Sequence, residues 1–508
     1  MTTDSPASLR ILMISAHLAP FTRRDGHSGH DGHSTDTGVA VNCLARALAA
    51  LGHDVRIVAP RYASIDLARI EARGDVQPFA VPMNHRGEVA TVYRAGLPDG
   101  VTVYLVDNPR YFGGEVTYPL VDEGERYVFL SRAAMELLKR PEIGWQPDIV
   151  HCHDWQAGLV PNWLRTLYRD EPTLANAATV FTIHDLARQG LLGYRVLELA
   201  GLSAYGFYTH PEIPELSELV NLLARGVVHA DAVTTVSETY AREIRSPEYG
   251  ELLDPLFRDL GERLAGILNG ADTEAYDPGN DALIPSPFTV ETLGRRAPNK
   301  AALQRTMRLK QDERAPLIGI ISHLDAARGW ELLSEMLEAM LADLGAQVAV
   351  VGAGEQVYED RIAELARRYP GCIRRIAVSD PQTEHLLYAG SDIYLAPMRL
   401  EPNGSHHLLA MHYGAVPVAH ATGGLADAVR DYDAARDSAN GFRFERFDAW
   451  ALYTAVVRAV EIYRHPEIWR TLQRRCMEHD VSWRTAALKY VGVYRWALRH
   501  RRPRDVGR

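Results

Sequence analysis

The sequence predicts an α/β protein of two domains, each built on a parallel sheet, and three observations carry that reading. Short apolar or β-branched runs recur along the chain, each followed by a helical pattern, and strands alternating with helices imply parallel sheets with crossover connections. The 508 residues, 46% of them hydrophobic, exceed what one ordinary core holds. An interval rich in Pro, Gly and Asn, from Asp277 to Pro298, lies between two such series and reads as an interdomain linker.

Taken in order, the first series is RILMIS from Arg10, DVRIVAP from Asp54, VTVYLVD from Val101, DIVHCHD from Asp148, TVFTIHD from Thr179 and AVTTVS from Ala232. The second is LIGIIS from Leu317, QVAVVGAG from Gln347, RRIAVSD from Arg374 and IYLAPM from Ile393. The apolar periodicity of Trp483 to Leu498 predicts a long helix, and the RHRRPRDVGR that follows reads as a solvated basic tail. Arg23 to Asp36, a run of Gly, His, Asp and Ser with no apolar anchor, is expected to be a mobile loop rather than a metal site built on His27, His30 and His33.

Charge and composition exclude several classes. A formal net charge of -10 argues against nucleic acid, whose phosphates call for a basic face. The polar Met1 to Arg10 and the brief apolar run Ile11 to Ile14 suit neither a signal peptide nor a membrane span, so no membrane partner and a cytoplasmic location are expected. Cys43, Cys152, Cys372 and Cys476 form no CxxC pair, and a zinc site or disulfide framework is not indicated.

The most informative stretch is Arg399 to Asp427, RLEPNGSHHLLAMHYGAVPVAHATGGLAD, which sets an acidic residue before a Pro-x-Gly turn, then a helical segment, then a Thr-Gly-Gly loop. Glycines allow backbone amides to approach an anion, and a helix start adds its partial positive charge. Such a pattern resembles a nucleotide-sugar site in which Glu401 accepts from sugar or ribose hydroxyls while Thr422, Gly423 and Gly424 cradle phosphate and sugar. The plainer reading is that the Gly-Gly pair only makes a turn.

This segment resembles the bacterial glycogen synthase and plant starch synthase family, and other stretches agree in order. HCHDWQAG, with His151, His153, Asp154 and Trp155, resembles that family's HxHDW. TIHDLARQG, with Thr182, His184, Gln189 and Gly190, resembles its TxHNxxxQG. TTVSETYAREI, ILNGADTEAYDP, RAPNKAALQ and LLYAGSD match as well. The resemblance implies a GT-B fold, two Rossmann-like domains facing a central cleft with a C-terminal helix crossing back to the first. The expected divisions are 1–285 for the glucan-acceptor domain, including the His/Gly-rich loop at 23–36, 286–480 for the nucleotide-sugar domain, and 481–508 for the C-terminal helix and tail. It further implies retaining transfer of glucose from ADP-glucose or UDP-glucose to an α-1,4-glucan with no metal, so that side chains and amides stabilise the departing diphosphate. Glu401, His184, Arg328 and His323 are the implied catalytic residues. Asn269, Arg399, Gly404, Thr422, Gly423 and Gly424 bind the donor, and Asp154 and Trp155 line the sugar pocket.

Each has a structural alternative: His151 as a satisfied core histidine, Trp155 as packing, Asp154 as a helix cap. His184 and Asn269 each follow an apolar strand at its carboxyl end, which favours ligand contact.

The chain also departs from the family pattern. Its diphosphate grip, Ser-Arg-Leu then three residues and Lys-Gly, is replaced by ISHLDAARGW, placing His323 for the arginine and Arg328 for the lysine. An imidazole is mostly neutral at pH 7, and a guanidinium is a planar fork where the lysine is a point charge. DTGVA from Asp36 stands where the family has Lys-Thr-Gly-Gly-Leu, and Asn403, Ser405 and His407 stand for Cys, Leu and Gln. Two readings follow: an active or slowed glucosyltransferase, or a catalytically impaired glucan-binding or regulatory paralogue. A phosphorylase or sugar-nucleotide epimerase explains HCHDWQAG and TGGLAD together less well.

Overall fold

The computed structural model describes residues 8–21, 32–83, 86–113, 123–202, 219–378, 380–402, 404–435 and 438–502. The chain divides into two compact units: one takes in Asp31–Ile267 with the preceding strand and Ala486–Arg508, the other Leu268–Thr485.

Strands of the first unit are β1 (Arg10–Ile14), β2 (Asp54–Pro60), β3 (Arg73–Met83), β4 (Arg86–Gly96), β5 (Thr102–Asp107), β6 (Ile149–His153), β7 (Ala178–Ile183), the short pair β8 (Leu191–Leu192) and β9 (Val220–Asn221), β10 (Ala232–Thr235) and β11 (Leu264–Gly266). All but β8 and β9 join one sheet in the order β11-β10-β7-β6-β1-β2-β5-β4-β3. The pairs from β11 to β5 are parallel and β5-β4-β3 is an antiparallel extension. Parallel strands are covered on both faces, which is why β6 and β7 are buried at every residue, the polar His151, His153, Thr179 and Thr182 included.

The second unit holds β12 (Leu317–Ile321), β13 (Gln347–Val351), β14 (Ile373–Ile376), β15 (Ile393–Ala396), β16 (Val416–His420) and β17 (Phe442–Phe444), all parallel in the order β14-β13-β12-β15-β16-β17. Its core is one apolar cluster running from Ile284 and Phe288 through the sheet to Trp469 and Leu472.

Three differences from the sequence reading have physical causes. The segment read as a linker is packed: Asp281 takes the Tyr413 hydroxyl at 2.6 Å and the His385 ring at 2.8 Å, and Ile284 and Phe288 enter the core, so residues 268–285 belong to the second unit. The basic tail is tied down as far as Arg502, whose backbone N–H donates to Asp231 at 3.0 Å and whose guanidinium reaches the Val228 carbonyl at 2.7 Å. Part of the His-rich stretch, Gly32–Asp36, is the start of the helix Gly32–Ala50, while residues 23–31, with His27 and His30, lie outside the described residues, as does Asn403. The long C-terminal helix spans Trp483–Arg499, and from Ala486 onward it belongs to the first unit. Among the described residues no helix is long and apolar enough to cross a membrane.

Candidate functional site

In the first unit the carboxyl ends of β6 and β7 bring the HCHDW and TIHD motifs together. Parallel pairing sets His151 opposite Val180 and His153 opposite Thr182, and the chain then turns at Asp154 with φ of +57°. That is a strained position for a residue with a Cβ, costing on the order of 1–3 kcal/mol. The Asp154 carboxylate offsets it by accepting the His184 backbone N–H at 2.7 Å. Asp154 makes no side-chain cap to the turn that follows, so the helix-cap reading gives way to this strand-to-strand clamp. Burial pushes the Asp154 carboxyl up to about 7, against the lowering effect of its backbone hydrogen bonds.

His184 is buried, its Nε2 lies 3.0 Å from His153 Nδ1, and its Nδ1 has no partner among the described residues. Burial drives the His184 ring down to about 3 and holds the His153 ring well below the ordinary histidine value. Both are therefore neutral at pH 7, able to give or take one hydrogen bond but not to serve as cations. His151 behind them is saturated by Thr182 at 2.6 Å and by the Tyr494 hydroxyl of the C-terminal helix at 2.9 Å, as a core histidine should be. Trp155 packs edge-on against Tyr127 and is 4% exposed, which agrees with its packing role.

In the second unit the loops after β12, β15 and β16 converge on Glu401. Its Oε2 accepts from the Arg328 guanidinium at 2.9 Å and its Oε1 from the Gly404 N–H at 2.9 Å. Its backbone carbonyl takes the Gly424 N–H at 3.0 Å, joining it to the Thr-Gly-Gly loop. Thr422 is buried and precedes the helix Gly423–Ala428, whose first turn carries the two glycines. Gly423 has φ of +45°, and a Cβ there would stand 2.3 Å from the Glu401 carbonyl oxygen, so only glycine allows the close approach. Of the predicted residues, the catalytic pair Glu401 and Arg328 and the donor-binding Gly404 and Gly424 thus share one hydrogen-bonded cluster, against which Gly423 packs closely.

The side chains of Arg399 and His323 engage carboxylates other than Glu401. Arg399 bonds Glu331 and lies 4.3 Å over the Phe447 ring. His323 is 44% exposed and its Nδ1 meets Asp325 Oδ2 at 2.9 Å. Asn269 is buried just beyond β11, beside the Gly270 backbone that packs on Trp483. Asp325 was missed from sequence, yet its other oxygen accepts the Arg328 N–H at 2.8 Å, so one carboxylate shapes the whole His323-to-Arg328 turn. Its place two residues after the histidine was the available signal. The buried His407, lowered to about 4 by burial, fills the space beneath Gly404.

Two Rossmann-like units with glycine-bearing loops at the strand ends, and a C-terminal helix that returns to the first, define a glycosyltransferase of the GT-B class. Residues 10–259 match the family model described as starch synthase catalytic domain, and residues 306–474 match glycosyl transferases group 1. A glycogen synthase from Desulforudis audaxviator is 37% identical over 502 residues, covering 96% of this chain and 97% of that protein, and one from Anaeromyxobacter dehalogenans is 38% identical over 494 residues, covering 96% and 99%. The catalytic domain of starch synthase IV from Arabidopsis thaliana, bound to ADP and acarbose, superposes with a TM-score of 0.86 at 28% identity, covering 97% of this chain and all of that one. The chain belongs to the glycogen and starch synthase family and is a glucosyltransferase of that type.

Proposed function

We propose that the chain transfers glucose from ADP-glucose to the end of an α-1,4-glucan in the cytoplasm, with retention of configuration and without a metal. The observation that carries this is the Glu401 carboxylate, gripped by Arg328 and the Gly404 amide and tied through its backbone to the Thr-Gly-Gly loop. Arg328 supplies a fixed positive charge where a leaving diphosphate needs one, and Gly423 and Gly424 open a helix start to phosphate oxygens. The ADP held by the structurally similar starch synthase IV supports an adenine donor over UDP-glucose. His184, neutral and with Nδ1 unspoken for, offers a hydrogen bond to a sugar hydroxyl rather than a charge.

One observation favours the impaired reading: the His323 ring, at the position where the family has arginine, is held by Asp325. A weak, engaged imidazole replaces a permanent donor, and losing one preorganised donor costs about a hundredfold to a thousandfold in rate. Release of ADP and UDP from the two donors, with glycogen as acceptor and EDTA present, decides among these readings. Glu401→Ala should abolish release, and His323→Arg should raise kcat by about tenfold or more. Glycogen binding with no nucleotide release in either the native chain or His323→Arg would establish the glucan-binding paralogue instead.

A further inference from the structure

We propose that the second unit carries a separate binding site for a phosphorylated sugar, in a cavity of about 650 Å³ at the amino-terminal ends of β12 and β15. Its lining residues Glu313 and Arg314 precede β12 and Asp392 precedes β15, so it lies at the opposite end of the sheet from the loops that hold Glu401. Its volume falls within the roughly 300–1,000 Å³ of small-molecule sites.

The floor is rigid. The three N–H groups of Lys300 are shared among four oxygens, Asp392 at 2.7 Å, the Tyr463 hydroxyl at 2.9 Å and the carbonyls of Glu313 and Ala315 at 3.0 and 2.7 Å, and Asp392 also takes the Leu317 N–H at 2.9 Å. Nothing there remains free for a ligand. The rim differs: Arg314 and Arg470 are exposed, and neither guanidinium has an ion-pair or hydrogen-bond partner among the described residues. Cationic side chains on the lining outnumber carboxylates five to two, in a chain whose net charge is -10.

That local excess selects an anion, and two unengaged guanidinium forks suit the several oxygens of a phosphate. The rest of the wall points to a sugar behind it. The half-buried Tyr463 and the exposed Ala297 and Pro466 give an apolar surface for a pyranose face, with the buried Trp469 packed edge-on behind Tyr463 at 5.3 Å. The exposed Glu313 carboxylate can accept from hydroxyl groups but would repel a bare anion placed beside it, so phosphate and hydroxyls are sorted to different sides.

Calorimetric titration of the full chain with α-D-glucose 1-phosphate and, separately, with inorganic phosphate tests this. The ester should bind, more weakly as salt rises, and inorganic phosphate should bind less tightly. In the double variant Arg314→Ala/Arg470→Ala the ester's affinity should fall at least about tenfold, while the thermal midpoint stays, since both side chains are exposed and unbonded. Equal affinity in the native chain and the double variant would place the ester elsewhere and overturn the proposal. So would the lack of any heat up to about 10 mM ester, a range that reveals even weak sites. Inorganic phosphate binding as tightly as the ester would overturn the assignment to a sugar. Neither arginine belongs to the Glu401 cluster, so the result is independent of whether nucleotide is released from a donor.

Discussion

Asp154 shows how one buried carboxyl ties local strain to pH. Burial raises it to about 7 from an ordinary value of about 3.9, so between those two values the folded chain keeps a proton that the unfolded chain has lost. Stability contributed at this site is therefore present at low pH, falls as pH rises from about 4 to about 7, and then levels off. At 1.36 kcal/mol per unit the loss is at most about 4 kcal/mol. Asp154→Asn keeps an oxygen for the His184 N–H and has no charge to bury. Urea denaturation across that range should show the variant gaining on the native chain as pH rises. Parallel curves would mean that the carboxylate is better solvated than its 9% exposure implies.

At the scale of elements, the loop-to-helix junction at Gly423 is one of the tight points of the candidate site. Gly423→Ala would place a methyl group 2.3 Å from the Glu401 carbonyl oxygen at φ of +45°. Strain of about 1–3 kcal/mol, relieved only by shifting the Glu401 backbone, should lower both the thermal midpoint and nucleotide release. Gly492→Ala, exposed on the C-terminal helix with nothing within 4 Å of the new Cβ, should instead stabilise by about 0.5–1 kcal/mol and serve as the control. Should Gly423→Ala retain full activity, the loop does not hold the donor. The same contrast explains what could be read from sequence. Strands buried on both faces, such as β12 and β15, announce themselves as continuous apolar runs. The β3–β4 hairpin went unseen because one face is solvated and polar residues interrupt it. Arg399 to Asp427 was legible because one segment brings Glu401, Gly404 and the Thr-Gly-Gly loop into a single cluster. The segment around Asp281 was misread because its partners, His385 and Tyr413, lie more than a hundred residues away.

For the molecule as a whole, the two units draw on separate cores, yet the chain finishes the first unit with its last helix. Tyr490, Tyr494, Ala487 and Ala497 are all at most 1% exposed, and Val491 is nearly as buried. The Tyr494 hydroxyl completes His151, and Arg502 closes on Asp231, which Arg165 also holds at 2.8 Å. Burial of two tyrosines and a valine is worth several kcal/mol, comparable with the net stability of about 5–15 kcal/mol that a domain possesses. Truncation before Ala486 should therefore unfold the first unit at a much lower temperature while the second keeps its transition, because the apolar cluster of the second unit ends at Val481. Scanning calorimetry would resolve two separated transitions where the full chain shows them closer together. Tyr494→Phe isolates one part of this, removing only the hydrogen bond to a buried imidazole, and should cost about 1–3 kcal/mol through the partner left unsatisfied. If truncation moved both transitions equally, the helix would serve the whole chain and not the first unit.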